Sequence, residues 1–241
     1  MQVNLYGLMI ALGVAAAIFY ITRQEQAQGL PKDTGVDMAL YAVPLAVAAS
    51  RLYYVAFTWD SYKDDLTRIL RVWEGGLAIY GAIIGGAIGV WLLSRRKKLP
   101  FWALADLVAP GLILGQAIGR WGNFFNGEAY GYQVTDPALQ FFPVAVFVDG
   151  AWHMATFFYE SVWNLMGYVF LHLNRKRFLK SGRGVMFAWY LIWYGLGRAV
   201  IEGWRTDSLM WGTWRVSQVL SVLLVLAAGL WLMWRRKRGK A

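Results

Sequence analysis

The sequence predicts an all-α polytopic membrane protein with seven transmembrane helices. Three observations carry this expectation. Of 241 residues, 58% are hydrophobic and only 16% charged, where globular domains run near a quarter charged, and the mean hydropathy is +0.40. Apolar runs long enough to cross a bilayer recur along the chain. Basic residues gather at the ends of those runs, as membrane proteins display them. A net charge of +10 would otherwise suit nucleic acid, but this clustering argues against such a partner. The chain has no cysteine, which excludes disulfides, a cysteine nucleophile and thiolate-held metal. Its two histidines, His153 and His172, have no metal-ligand spacing.

The first apolar run, residues 5–21, has no basic residue before it and Arg23 after it. A secretory signal carries its positive charge first, so this run reads as a retained span with the N-terminus outside. The candidate helices are 4–22, 37–57, 75–93, 101–119, 156–174, 184–203 and 214–234, the second interrupted by Pro44 and Arg51. The basic-rich segments 23–32, 95–98, 175–183 and 235–240 alternate onto one face. Lys63, Arg68, Arg71, Arg120, Arg205 and Arg215 are scattered over the other. The positive-inside rule then gives N-out and C-in. The chain reads as one membrane domain, 1–241, with an external insert at 120–155. That insert holds Asp136-Pro137, an apolar run at 141–148 and Asp149-Gly150, so short strands or surface-hugging arms are expected there. Gly81, Gly85 and Gly89 recur every four residues, a small-residue face for close helix packing.

The densest chemistry follows the fourth apolar run. Arg120, Asn123, Asn126 and Glu128 fall within nine residues, interspersed with Gly122 and Gly127 and followed by Gly131. Glycine and asparagine are poor helix formers, so the helix is expected to end near residue 119. Free backbone N–H groups, a permanently charged planar fork and two amides would then meet at the membrane boundary. That combination suits an anionic headgroup carrying hydroxyls. Tyr194, Arg198, Glu202 and Arg205, at offsets of 0, 4, 8 and 11, share one helical face within roughly 80°. An arginine in a span needs a partner, and Glu202 is one turn from Arg198. Two arginines from separate helices converging on one outer pocket point to a phosphate ligand. Arg51 reads as a tether to a neighbouring helix or as a functional charge. Asp106, near the inner end of its helix, reads as structural, and Glu160 and Asn164 as a cross-helix bonding pair.

These residues resemble the signature of the bacterial prolipoprotein diacylglyceryl transferases: Arg120-Trp-Gly-Asn123-Phe-Phe-Asn126-Gly-Glu128-Ala-Tyr-Gly131. The resemblance extends in order through Arg51-Leu-Tyr-Tyr, Trp73-Glu-Gly-Gly-Leu-Ala-Ile-Tyr80-Gly, Phe158-Tyr-Glu160-Ser-Val-Trp-Asn164 and Tyr194-Gly-Leu-Gly-Arg198-Ala-Val-Ile-Glu202-Gly-Trp-Arg205. It implies transfer of a diacylglyceryl group from phosphatidylglycerol to the lipobox cysteine thiol of a preprolipoprotein signal peptide. Glycerol 1-phosphate would leave. The setting it implies is the bacterial inner membrane, with the site toward the outer face and no metal or soluble cofactor.

By that resemblance Arg120 and Arg198 bind and stabilise the phosphate. Asn123, Asn126, Glu128, Gly131 and Tyr194 would shape the pocket, with Glu202 and Arg205 beside it. A thiol is mostly protonated at neutral pH, so a base is required. Many members carry histidine, suggested as that base, where this chain has Tyr80. A phenol of pKa near ~10 is a poor base at pH 7. Tyr80 then orients substrate, or nearby arginines lower its pKa, or Glu128 or Glu202 assists. A competing reading is a non-enzymatic transporter of anionic lipid or anions. Inverted internal repeats would favour it, and the sequence displays none.

Overall fold

The computed structural model describes residues 4–238. It is mostly helical, with seven α-helices among the described residues: α1 Leu5–Gln24, α2 Thr34–Phe57, α3 Ile79–Lys97, α4 Phe101–Asn126, α5 Thr156–Ser181, α6 Val185–Ile201 and α7 Val216–Arg238. By length and apolarity, four of them can cross a membrane: α1, α2, α4 and α7 over Val216–Lys237. The described residues form two compact units, 22–105 and 4–21 with 106–238.

In the 22–105 unit, α2 and α3 pack through glycine. A Cβ on Gly89 would lie 2.6 Å from Ala42 Cα, and one on Gly85 2.7 Å from the Leu45 carbonyl carbon. Gly81 is likewise closed off by Ser50 Cα at 2.7 Å, so the four-residue glycine period marks a helix contact. Arg51 is buried at 4% exposure. Its guanidinium donates to the carbonyls of Ile69 at 2.9 Å and Gly75 at 2.6 Å, and also to those of Arg68, Arg71 and Gly76. It tethers the connection that precedes α3 rather than a neighbouring helix, and those carbonyls satisfy its donors.

In the other unit, the core joins α4, α5 and α6 through Ala109, Ile113, Leu171, Phe178, Val185, Met186 and Tyr190. Asp106 is structural: its carboxylate accepts from the N–H groups of Gly184 at 2.6 Å and Phe187 at 2.9 Å. An acceptor there caps the start of α6. Trp163 and Trp193 stack, and each indole N–H donates to the other's carbonyl, locking α5 to α6.

The expected end of the fourth helix at 119 is wrong. α4 continues to Asn126 and stops at Gly127, whose φ is +62°. The glycines that look like terminators serve packing. A Cβ on Gly122 would meet the Tyr6 ring at 3.0 Å, and one on Gly115 would lie 3.0 Å from the Gly13 carbonyl oxygen of α1. Tertiary contact with α1 overrides the low propensity of glycine. The insert holds a hairpin, β1 Ala145–Val148 and β2 Ala151–Met154, turned at Asp149-Gly150 as expected. A second hairpin, β3 Met210–Trp211 and β4 Trp214–Arg215, leads directly into α7.

Candidate functional site

The site is built around Glu160 on α5. Its side chain is 5% exposed, and three arginines surround it. Arg120 of α4 pairs with Oε2. Arg198 of α6 donates to Oε1 at 2.7 Å, and Arg205 stands 3.8 Å from the same oxygen. Glu202, 1% exposed, faces Arg198 at 2.8 Å and Arg205 at 3.9 Å. Arg205 also makes a two-point contact with Asp207 at 2.9 and 2.8 Å.

Burying a charge alone costs several kcal/mol, so each group requires the others. Three guanidiniums face the two buried carboxylates Glu160 and Glu202, and half-exposed Asp207 balances the third charge through Arg205. Asp207 lies outside the spans. Burial pushes its carboxyl up, but the Arg205 hydrogen bonds outweigh this and hold it below the usual carboxylate range.

A second chain of contacts runs along the end of α4. Arg120 donates to the Asn123 side-chain Oδ1 at 3.5 Å, and the Asn123 Nδ2 donates to Glu128 Oε1 at 2.8 Å. Because α4 stays helical here, Arg120 and Asn123 share its last turns, three residues apart on one face. The backbone N–H groups expected to be free at residues 120–126 are instead bonded within the helix. Asn126 is exposed at the helix end.

Gly131 sits where chain meets chain. It bridges Arg205 in an antiparallel pair, and its N–H donates to Met154 at 2.9 Å. A Cβ there would come within 2.8 Å of the Trp204 carbonyl. Arg205 has left the helix that the sequence pattern gave it. α6 ends at Ile201, and a 3₁₀ turn over Glu202–Trp204 delivers Arg205 in extended backbone. Its contact with Glu202 survives because the turn keeps the two side chains on one side.

The structure therefore brings Arg120, Arg198, Glu202 and Arg205 together, with Asn123 and Glu128 joined to Arg120. Tyr194 is half-buried one turn before Arg198, within its electrostatic reach, and stacks on Tyr190 at 6.0 Å. Tyr80 belongs to the 22–105 unit, at the first turn of α3, with its ring 6.2 Å from that of Tyr53. Glu160 bonds across helices as expected, but its arginine partners and its central place were not foreseen. It was legible as a carboxylate in an apolar helix, but its three cationic partners come from segments far apart in sequence. Tyr6 was missed too. It lies on α1 against Gly122, within electrostatic reach of Glu128 and Arg120.

Arginine forks held partly desolvated can take a phosphate by bidentate contact. A family model described as prolipoprotein diacylglyceryl transferase matches residues 1–235. Among similar proteins, phosphatidylglycerol–prolipoprotein diacylglyceryl transferase of Listeria welshimeri is 46% identical over 98% of this chain and 87% of its own. Its namesake in Bacillus cereus is 45% identical over 98% of this chain and 89% of its own. That of Halalkalibacterium halodurans is 44% identical over 98% and 83%. The chain belongs to the prolipoprotein diacylglyceryl transferase family, and it is a transferase.

Proposed function

We propose that this enzyme transfers the sn-1,2-diacylglyceryl group of phosphatidylglycerol to the lipobox cysteine of preprolipoproteins. The observation that carries the reading is the convergence of Arg120, Arg198 and Arg205 on Glu160. The cysteine sulfur attacks the glycerol carbon that bears the phosphate. A thioether forms, the carbon–oxygen bond breaks, and glycerol 1-phosphate leaves with the bonding pair. Charge grows on the phosphate as it leaves, and guanidiniums already in place stabilise it without reorganising. Glu160 holds those forks in geometry until the phosphate competes for them.

The thiol must lose its proton, and this chain has no thiol of its own. Glu128, joined to Arg120 through Asn123, is the carboxylate best connected to receive it. Tyr80 orients the substrate in this reading. Seven spans, N-out and C-in, place the site toward the outer face of the bacterial inner membrane. The seven α-helices and the basic segments at 23–32, 95–98, 175–183 and 235–240 support that reading.

The test is a reconstituted assay with purified protein, phosphatidylglycerol and a lipobox peptide. Thioether lipid and glycerol phosphate should appear together, one for one. Lipid translocation across vesicles without either product would replace this reading with transport.

A further inference from the structure

A fourth arginine stands beside the site and does something different. Arg215 ends β4, immediately before α7. Its Nη1 faces the carbonyls of Glu202 and Arg205, the latter at 2.6 Å, and the Ser208 hydroxyl at 3.0 Å. Its Nη2 donates to the Tyr132 hydroxyl at 3.0 Å. All of these partners are neutral oxygens, and among the described residues Arg215 makes no ion pair. Two of them are main-chain oxygens of Glu202 and Arg205, the residues whose side chains form the site.

The turn is also held by the Gly131–Arg205 bridge, by the Arg205–Asp207 pair and by the Thr206 hydroxyl on the Tyr130 carbonyl, but the hairpin that follows is weakly anchored. The β3–β4 ladder is two residue pairs long, Met210 with Arg215 and Trp211 with Trp214. A pairing that short cannot hold itself in place. Leu209, Met210, Trp211 and Trp214 are all more than half exposed, so no apolar core anchors the hairpin. The Gly131–Tyr132 segment holds one side of the turn, through the Tyr132 N–H on Trp204 at 3.0 Å and the Gly131–Arg205 bridge, and Arg215 ties the turn to the start of α7.

We infer that Arg215 is a positioning residue for the transferase reaction. It bolts the 202–208 turn from behind, and thereby aims the side chains of Glu202 and Arg205, without touching substrate. The kinetic part of this inference rests on the proposed transfer reaction. The geometry also ranks the substitutions. Nη1 carries two hydrogens and faces three acceptors, whereas a lysine ammonium carries three donors. Arg215→Lys should keep the turn contacts and lose only Tyr132. This reverses the expectation at Arg120 and Arg198, where a fork meets a phosphate and lysine is a poor substitute.

The experiment compares wild type, Arg215→Met, Arg215→Lys and Tyr132→Phe, purified and in the transfer assay. Melting curves run in parallel. Arg215→Met should lower kcat/KM for phosphatidylglycerol by about ten- to a hundredfold, the scale of a misplaced catalytic group, with its melting midpoint unchanged. Arg215→Lys and Tyr132→Phe should stay within about threefold of wild type, the effect of weakening one hydrogen bond. Wild-type kinetics in Arg215→Met would overturn the inference. So would equal loss in the lysine and methionine variants, which would mean a fork acting on substrate, or loss accompanied by unfolding.

If wild type transfers nothing, the functional reading has failed by itself. Positioning is then judged from thermal stabilisation by phosphatidylglycerol over phosphatidylethanolamine. Arg215→Met should need about tenfold more lipid for the same shift, and an unaltered titration would overturn the inference.

Discussion

Glu160 lets three arginines share one apolar bundle. Removing its charge should leave Arg120 without its buried carboxylate partner, and Arg198 and Arg205 with Glu202 alone inside the cluster. Glu160→Gln should therefore destabilise by about 3–5 kcal/mol, the cost of breaking a buried pair. A denaturation series in detergent reads this directly, and a change below about 1 kcal/mol would show that water already serves these charges. At Tyr80 the expectation is opposite in kind. Tyr80→Phe should retain substantial transfer activity, and Tyr80→His should lose none. If Tyr80→Phe is as inactive as Arg120→Ala, the phenol has a chemical role. Asp207 adds a pH signature. Its carboxyl is held below the ordinary range, so its contribution is present above the unfolded pKa near ~3.9 and fades as pH falls through the lower folded value. Asp207→Asn should lower stability in the neutral range and flatten the acid-side decline, so that variant and wild type converge at low pH; an unchanged neutral stability would contradict this. These residues were legible in the sequence as charges out of place, but their pairing was not. Glu202 at one helical turn was readable for Arg198, whereas Glu160 lies 38 residues away from it.

Helix packing shows where periodicity helps and where it misleads. Gly81, Gly85 and Gly89 share one face by their spacing, and that face meets α2. Gly119 and Gly122 follow an apolar run beside two asparagines, which imitates a helix end. Nothing local reveals that Tyr6 lies across from Gly122. The second hairpin was not foreseen, because two-residue strands leave no alternation to detect. A controlled pair on α3 tests the packing account. A side chain at Gly85 would strike α2, whereas Gly86 has nothing within 4 Å. Gly85→Leu should destabilise by at least about 1–3 kcal/mol through overpacking. Gly86→Leu should be neutral or stabilise by up to about 1 kcal/mol, since glycine is the poorer helix former. Equal melting shifts for the two variants would contradict the glycine-face packing.

At the scale of the whole molecule, composition made the class legible. The exact number of spans was harder to read, because α3, α5 and α6 carry glycine or polar groups that a lipid-facing helix lacks. α5 alone includes Glu160, Asn164, His172 and Asn174. Such a helix crosses a membrane only when neighbours satisfy its polar side chains, a property of the assembly and not of the segment. The proposed topology is testable on a cysteine-free background. With Gln133→Cys and Lys97→Cys introduced separately, a membrane-impermeant maleimide should label the first from outside intact cells and the second only after permeabilisation. Labelling of both from one side would contradict seven spans.

The central claim is that Arg120 and Arg198, on different helices, hold one phosphate. The most direct measurement is glycerol phosphate release at saturating peptide by Arg120→Ala and Arg198→Ala, each with its melting curve. Loss of a charged contact to a leaving group that gains charge should cost roughly 3 kcal/mol or more, at least a hundredfold in rate. Both variants should still insert and fold, and lysine at either position should rescue only in part. Near-wild-type release from either alanine variant would remove that arginine from the site, and inactivity explained by misfolding would reduce the pair to a structural salt bridge.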